Sequence, residues 1–94
     1  MKYFNWNDEK NEKLKLERGL SFEDVEIAIS DEKLLDLVNH PNQLKYPGQQ
    51  IFIVEIAGYA HLVPFVETEE EIFLKSVIPS RKMTKRYLGG KDGK

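Results

Sequence analysis

Ile51-Phe52-Ile53-Val54-Glu55-Ile56, Ala57-Gly58-Tyr59, Ala60-His61-Leu62-Val63-Pro64-Phe65-Val66, Glu67-Thr68-Glu69-Glu70-Glu71 and Ile72-Phe73-Leu74-Lys75-Ser76-Val77-Ile78 follow one another without a break. β-Branched and aromatic runs alternate with a glycine turn and an acidic turn, a pattern that predicts three strands in an antiparallel meander. Along the middle run His61, Val63 and Phe65 point to one side, and Ala60, Leu62, Pro64 and Val66 to the other. Both sides carry apolar residues, so both faces of the sheet should be partly covered. Pro64 has no N–H to give to a ladder and predicts a bulge or a one-sided pairing at that point.

Upstream of the meander two helices are expected. Asn7 is placed to cap the first, with Asp8 and Glu9 in its opening turn, Lys15 and Arg18 in its last, and Gly19 as its stop. Its apolar content is thin, mainly Leu14 and Leu16, so it should lie on the surface, held by Phe4, Trp6 and one narrow stripe. Glu9 and Lys13 stand at ion-pair spacing on its exposed side. Ser21 caps the second helix, Asp24 occupies the capping-box position, Leu20 is placed to staple onto Val25, and Phe22, Val25 and Ile29 form the buried face. Residues 34–38 read as a short strand or as helix. Residues 39–50, with Pro41, Pro47, Gly48 and many amides, read as an irregular loop. Ser80 then caps a short final helix. The expected fold class is α+β: two N-terminal helices, a mostly antiparallel sheet of three or four strands, and a short C-terminal helix. Residues 1–88 form one domain, and the glycine- and lysine-rich residues 89–94 read as a disordered tail.

Composition narrows the function. A chain of 94 residues makes one domain that buries roughly 60 to 65% of its unfolded surface, enough for a core without staples. Without cysteine there is no disulfide framework, thiolate metal site or thiol nucleophile, and a cytoplasmic location is the economical expectation. The charged stretch after Met1 does not resemble a signal peptide, and no run is long and apolar enough for a membrane span. Two histidines without carboxylates at ligand spacing predict no metal and no cofactor. The formal charge of −2 is unevenly spread. Residues 80–94 hold six of the fourteen basic side chains and one acid, leaving eight basic against fifteen acidic in the body. Arg81 and Lys82 stand in the first turn of the final helix, where the helix dipole disfavours cations and an anion would relieve the conflict. That points to a phosphate or nucleic-acid contact, or else to a solvated terminal helix.

Trp6-Asn7-Asp8-Glu9-Lys10-Asn11, followed by Arg18-Gly19-Leu20-Ser21-Phe22-Glu23-Asp24, resembles the opening of the BrnT family of bacterial toxins, whose pattern is Trp-Asp, Lys-Asn and then Lys-His-Gly-Val-Ser-Phe. At the far end Ser76-Val77-Ile78-Pro79-Ser80-Arg81-Lys82, with Thr84 and Tyr87, is similar to the family's Ile-Ser-Ala-Arg junction and closing tyrosine. The resemblance implies a RelE-like fold, a translation-arresting ribonuclease activity, and neutralisation by a small DNA-binding antitoxin. Asn7 stands where the family has Asp, Arg18 where it has His, Leu14 where it has Asn, and Pro79 is an addition.

Metal-independent RNA cleavage needs a base for the ribose 2′-hydroxyl, an acid for the departing 5′-oxygen, and cations for the phosphorane. Arg81 is the candidate phosphate clamp, with Lys82, Lys85 and Arg86 extending its grip and Arg18 able to hold a phosphate. Lys75, among apolar strand neighbours, is a candidate for acid-base work through desolvation, or an edge lysine that guards against aggregation. His61 is a candidate acid-base group or a hydrogen-bonded residue at the core margin; His40 reads as a turn residue. Tyr87 packs its ring on the sheet with a hydroxyl able to reach a phosphate, and Trp6 either stacks an RNA base or packs beneath the first helix. Three functional readings stay open: a toxin-like endoribonuclease acting on RNA, a noncatalytic module that keeps the fold and the antitoxin-binding surface, and an unrelated small α+β protein whose basic end meets an acidic partner.

Overall fold

The computed structural model describes residues 2–89. Strand β1 (Tyr3–Asn5) leads into helices α1 (Asp8–Arg18) and α2 (Phe22–Ser30); then follow β2 (Leu34–Asn39), β3 (Gln50–Ile56), β4 (Tyr59–Glu67), β5 (Glu71–Leu74), β6 (Ile78–Pro79) and α3 (Arg81–Tyr87). The α+β class and the placing of the helices are as expected. The sheet is wider, with six strands in the order β1-β5-β4-β3-β2 and β6 paired to β4. It is also mixed, because β1 runs parallel to β5. The expected tail falls, apart from Gly89, outside the described residues.

Local chemistry explains the helix bounds. The Asn7 side chain accepts from the Lys10 amide, and α1 ends at Gly19, whose φ of 64° supplies the left-handed cap. Ser21 and Asp24 close a reciprocal capping box on α2. Asn11, buried in α1, accepts from the Phe22 amide at 2.8 Å and donates to Glu23 at 2.8 Å, clamping the two helices together. Leu16 is 87% exposed, leaving Leu14 as the buried anchor of α1. Glu9 and Lys13 form no ion pair; the pair that does form is Lys15 with Glu12 at 3.2 Å.

The sheet separates two cores, as the alternation in β4 predicts. Val63 and Phe65, with Phe52 and Val54 from β3, meet Leu14, Phe22, Val25 and Ala28 from the helix pair. On the other face Ile51, Ile53 and Ala60 meet Leu35, Leu62, Met83 and Tyr87, so α3 packs across the sheet from α1 and α2. The β3–β4 hairpin turns through Ala57 and Gly58, both at positive φ, which matches the twist of the flanking strands.

The strand expected over residues 72–78 is divided. Phe65 faces Leu74 and Leu62 faces Ile78, so Val63 and Pro64 on β4 oppose Lys75, Ser76 and Val77. One extra residue makes a bulge, and Pro64 takes part only as an acceptor, its carbonyl receiving the Lys75 amide at 2.7 Å. A second bulge lies in β2, where Leu34 faces Val54 but Asp36 faces Ile53. Asp36 thereby lies on the α3 face.

Candidate functional site

His61 stands on β4 between its register partners Val54 and Pro79, on the side of the sheet that carries the helix pair. It is 5% exposed. Its Nδ1 lies 2.9 Å from the Tyr59 carbonyl oxygen. A carbonyl only accepts, so Nδ1 carries the proton and Nε2 presents a lone pair. No buried side-chain nitrogen or oxygen among the described residues lacks a partner, and Nε2 bonds to none of them, so it opens outward. Burial holds the imidazole below its ordinary pKa; the Tyr59 carbonyl pulls the other way, and the nearby Arg18 cation adds to the lowering. At neutral pH His61 is therefore an uncharged imidazole able to take a proton.

Arg18 ends α1, and the bulge supplies its anchor. One guanidinium nitrogen donates to the Val77 carbonyl at 3.1 Å. A guanidinium has five N–H donors, so most of the fork remains for a ligand. Arg18, Leu20, Ile56, Tyr59, His61 and Pro79 line one shallow cleft of about 500 Å³. The Tyr59 ring sits edge-on to His61, with centroids 5.8 Å apart. A proton acceptor, a planar cation and apolar walls thus converge, which is the equipment for deprotonating a hydroxyl next to a phosphate.

The other predicted residues lie elsewhere. Arg81, Lys82, Lys85 and Arg86 are exposed on α3, across the sheet from the face that carries His61. Tyr87 is committed, since its hydroxyl donates to Asp36 Oδ2 at 2.5 Å. That bond holds the Asp36 carboxyl below and the Tyr87 phenol above their usual ranges. Lys75 lies in the bulge rather than within a strand, and it is exposed, with its ammonium 5.5 Å from the Phe73 ring. Trp6 stacks on the fully buried Phe22, with centroids 5.7 Å apart, and packs against the core instead of offering both faces to a base. His40 accepts from the Asn42 amide at 3.0 Å and lies against Tyr46, as a turn residue does. Leu20, Ile56, Tyr59 and Pro79 are cleft residues that the sequence does not mark as a site; for Tyr59 a place in a hairpin turn is the available signal.

Among the described residues no group of three or more His, Asp or Glu side chains comes together to hold a metal ion. None of the described helices is long and apolar enough to cross a membrane. No protein-family model, curated protein or solved structure matches the chain. What fold and site define is a two-faced α+β sheet with a histidine–arginine cleft on the side of its helix pair.

Proposed function

We propose that this chain is the toxin of a toxin–antitoxin pair, a metal-independent endoribonuclease that arrests translation in the cytoplasm and is neutralised by a small DNA-binding antitoxin. The observation that carries the catalytic part is the neutral His61, with an outward Nε2, sharing one cleft with the Arg18 guanidinium. In this reading Nε2 takes the proton of a ribose 2′-hydroxyl and the oxygen attacks the adjacent phosphorus. Arg18 stabilises the charge that builds on the phosphorane oxygens. The P–O5′ bond then breaks, water protonates the departing oxygen, and a 2′,3′-cyclic phosphate remains. A positioned base contributes roughly 10² to 10⁴ in rate.

The toxin assignment also draws on the resemblance at Trp6 to Asp24 and Ser76 to Tyr87. Arg18 stands where that family has histidine, and His61 supplies the proton acceptor from another element. The acidic body favours a second reading, a noncatalytic module acting in a regulatory complex, because net negative charge slows approach to RNA. Tightly controlled induction in a bacterial culture separates the two. Growth arrest with loss of intact transcripts by the wild type, but not by His61→Gln at equal soluble level, supports the toxin. Unaffected growth with abundant soluble wild-type protein supports the module.

A further inference from the structure

Arg18 belongs to more than one depression. On its other side it lines a second cleft with Lys10, Lys13, Glu17, Ser76 and Ile78. Lys10 and Lys13 continue into a third, which they share with Asn7, Glu9, Phe73, Leu74 and Lys75. Shared lining residues put the three in series, Lys10 and Lys13 linking two of them and Arg18 linking the third, which His61 lines; together they make a trough along α1. Lys10, Lys13 and Arg18 spread over a band of α1 roughly 140° wide and about 12 Å long, with Glu17 and the buried Leu14 between them. Lys75, in the bulge between β5 and β6, lines the same depression as Lys10 and Lys13 from the sheet side.

The charges are uncommitted. Among the described residues Lys10, Lys13, Arg18 and Lys75 form no ion pair, whereas Lys2 is paired with Glu67 and Lys15 with Glu12. Glu9 and Glu17 also line the trough, so its four cations face two carboxylates. In a chain whose body is acidic, this is a local reversal of sign. Phe73 adds an aromatic ring on the Lys75 side.

We infer that this trough is the path by which a single RNA strand reaches the His61 cleft, its phosphates held by Lys10, Lys13 and Lys75. The inference rests on the cleavage reading for its direction toward His61, and its test is separate. A labelled 2′-O-methyl oligoribonucleotide has no nucleophilic hydroxyl and reports binding without cleavage. Its affinity is measured by fluorescence anisotropy over a salt series, with circular dichroism confirming that each variant is folded.

Lys10→Ala/Lys13→Ala/Lys75→Ala should bind roughly tenfold to a hundredfold more weakly, with a log–log salt slope shallower by about 2, since each lost phosphate contact removes about 0.7. Lys15→Ala/Lys33→Ala/Lys45→Ala, which removes the same charge elsewhere, should bind close to wild type. Equal loss in both variants overturns the path, as does no binding by the wild type. Loss confined to a Lys82, Lys85 and Arg86 variant would place the strand on α3 and overturn it too. Tighter capture of oligoglutamate through the same three lysines would assign the trough to an acidic protein segment instead. Tight binding without cleavage of the 2′-hydroxyl oligonucleotide would sink the catalytic reading and leave the trough standing. Cleavage with wild-type binding by the trough variant would do the reverse.

Discussion

The chemistry of His61 depends on what surrounds it more than on its own strand. Burial is the main cause that keeps the ring neutral, and Arg18 adds to it. The acid limb of the cleavage pH profile should therefore lie below the ordinary histidine value of 6.5. Arg18→Gln removes the smaller cause and should shift that limb part of the way back up, while lowering the rate by roughly 10² to 10³ through the lost phosphorane contact. A pH–rate series on both proteins measures this. Linkage has the same origin. With a depressed native pKa, the stability gained from a neutral His61 is present above about pH 6.5, the unfolded value, and is lost as pH falls through the native value. In the sequence His61 was legible as a residue at the core margin with an acid-base alternative. Its pairing with Arg18 was not, because a helix end and a mid-chain strand meet only through the bulge that offers the Val77 carbonyl.

Among the elements, those governed by local rules were legible. The caps at Asn7, Gly19 and Ser21 and the hairpin at Gly58 follow from side chains acting on backbone within a few residues. Ser21→Ala removes one half of the capping box and should cost about 1 kcal/mol, up to 2, in a urea titration. Non-local pairings were not legible. Strand β1 forms only because β5 offers Phe4 and its neighbours a parallel edge, and no pattern in three residues announces that partner. Lys75 was misplaced because its alternating neighbours look like a strand, while the register shift opposite Pro64 depends on β4. For α3 the decisive contact is also distant. Its seven residues bury Met83 and Tyr87 only in part, and the Tyr87–Asp36 hydrogen bond ties it to β2. Tyr87→Phe should speed amide hydrogen exchange at Thr84 and Leu88 and leave the α1 amides unchanged.

At the scale of the molecule, the sheet divides labour between its faces. The helix pair covers the larger core and forms one wall of the trough, while α3 seals the smaller core and carries its basic residues to solvent. Of the basic end read from the sequence, Arg81, Lys82, Lys85 and Arg86 lie on the α3 face. The proposed chemistry lies on the other face, where sequence-distant cations from α1 and the bulge converge. That is why a count of basic residues along the chain drew attention to Arg81 rather than to Arg18. The most direct test of the account is incubation of the purified chain with a single-stranded RNA in excess EDTA, beside His61→Gln of matched melting temperature. Wild type should yield fragments ending in 2′,3′-cyclic phosphate, formed roughly 10² to 10⁴ times more slowly by the variant. Equal cleavage by both proteins would contradict it.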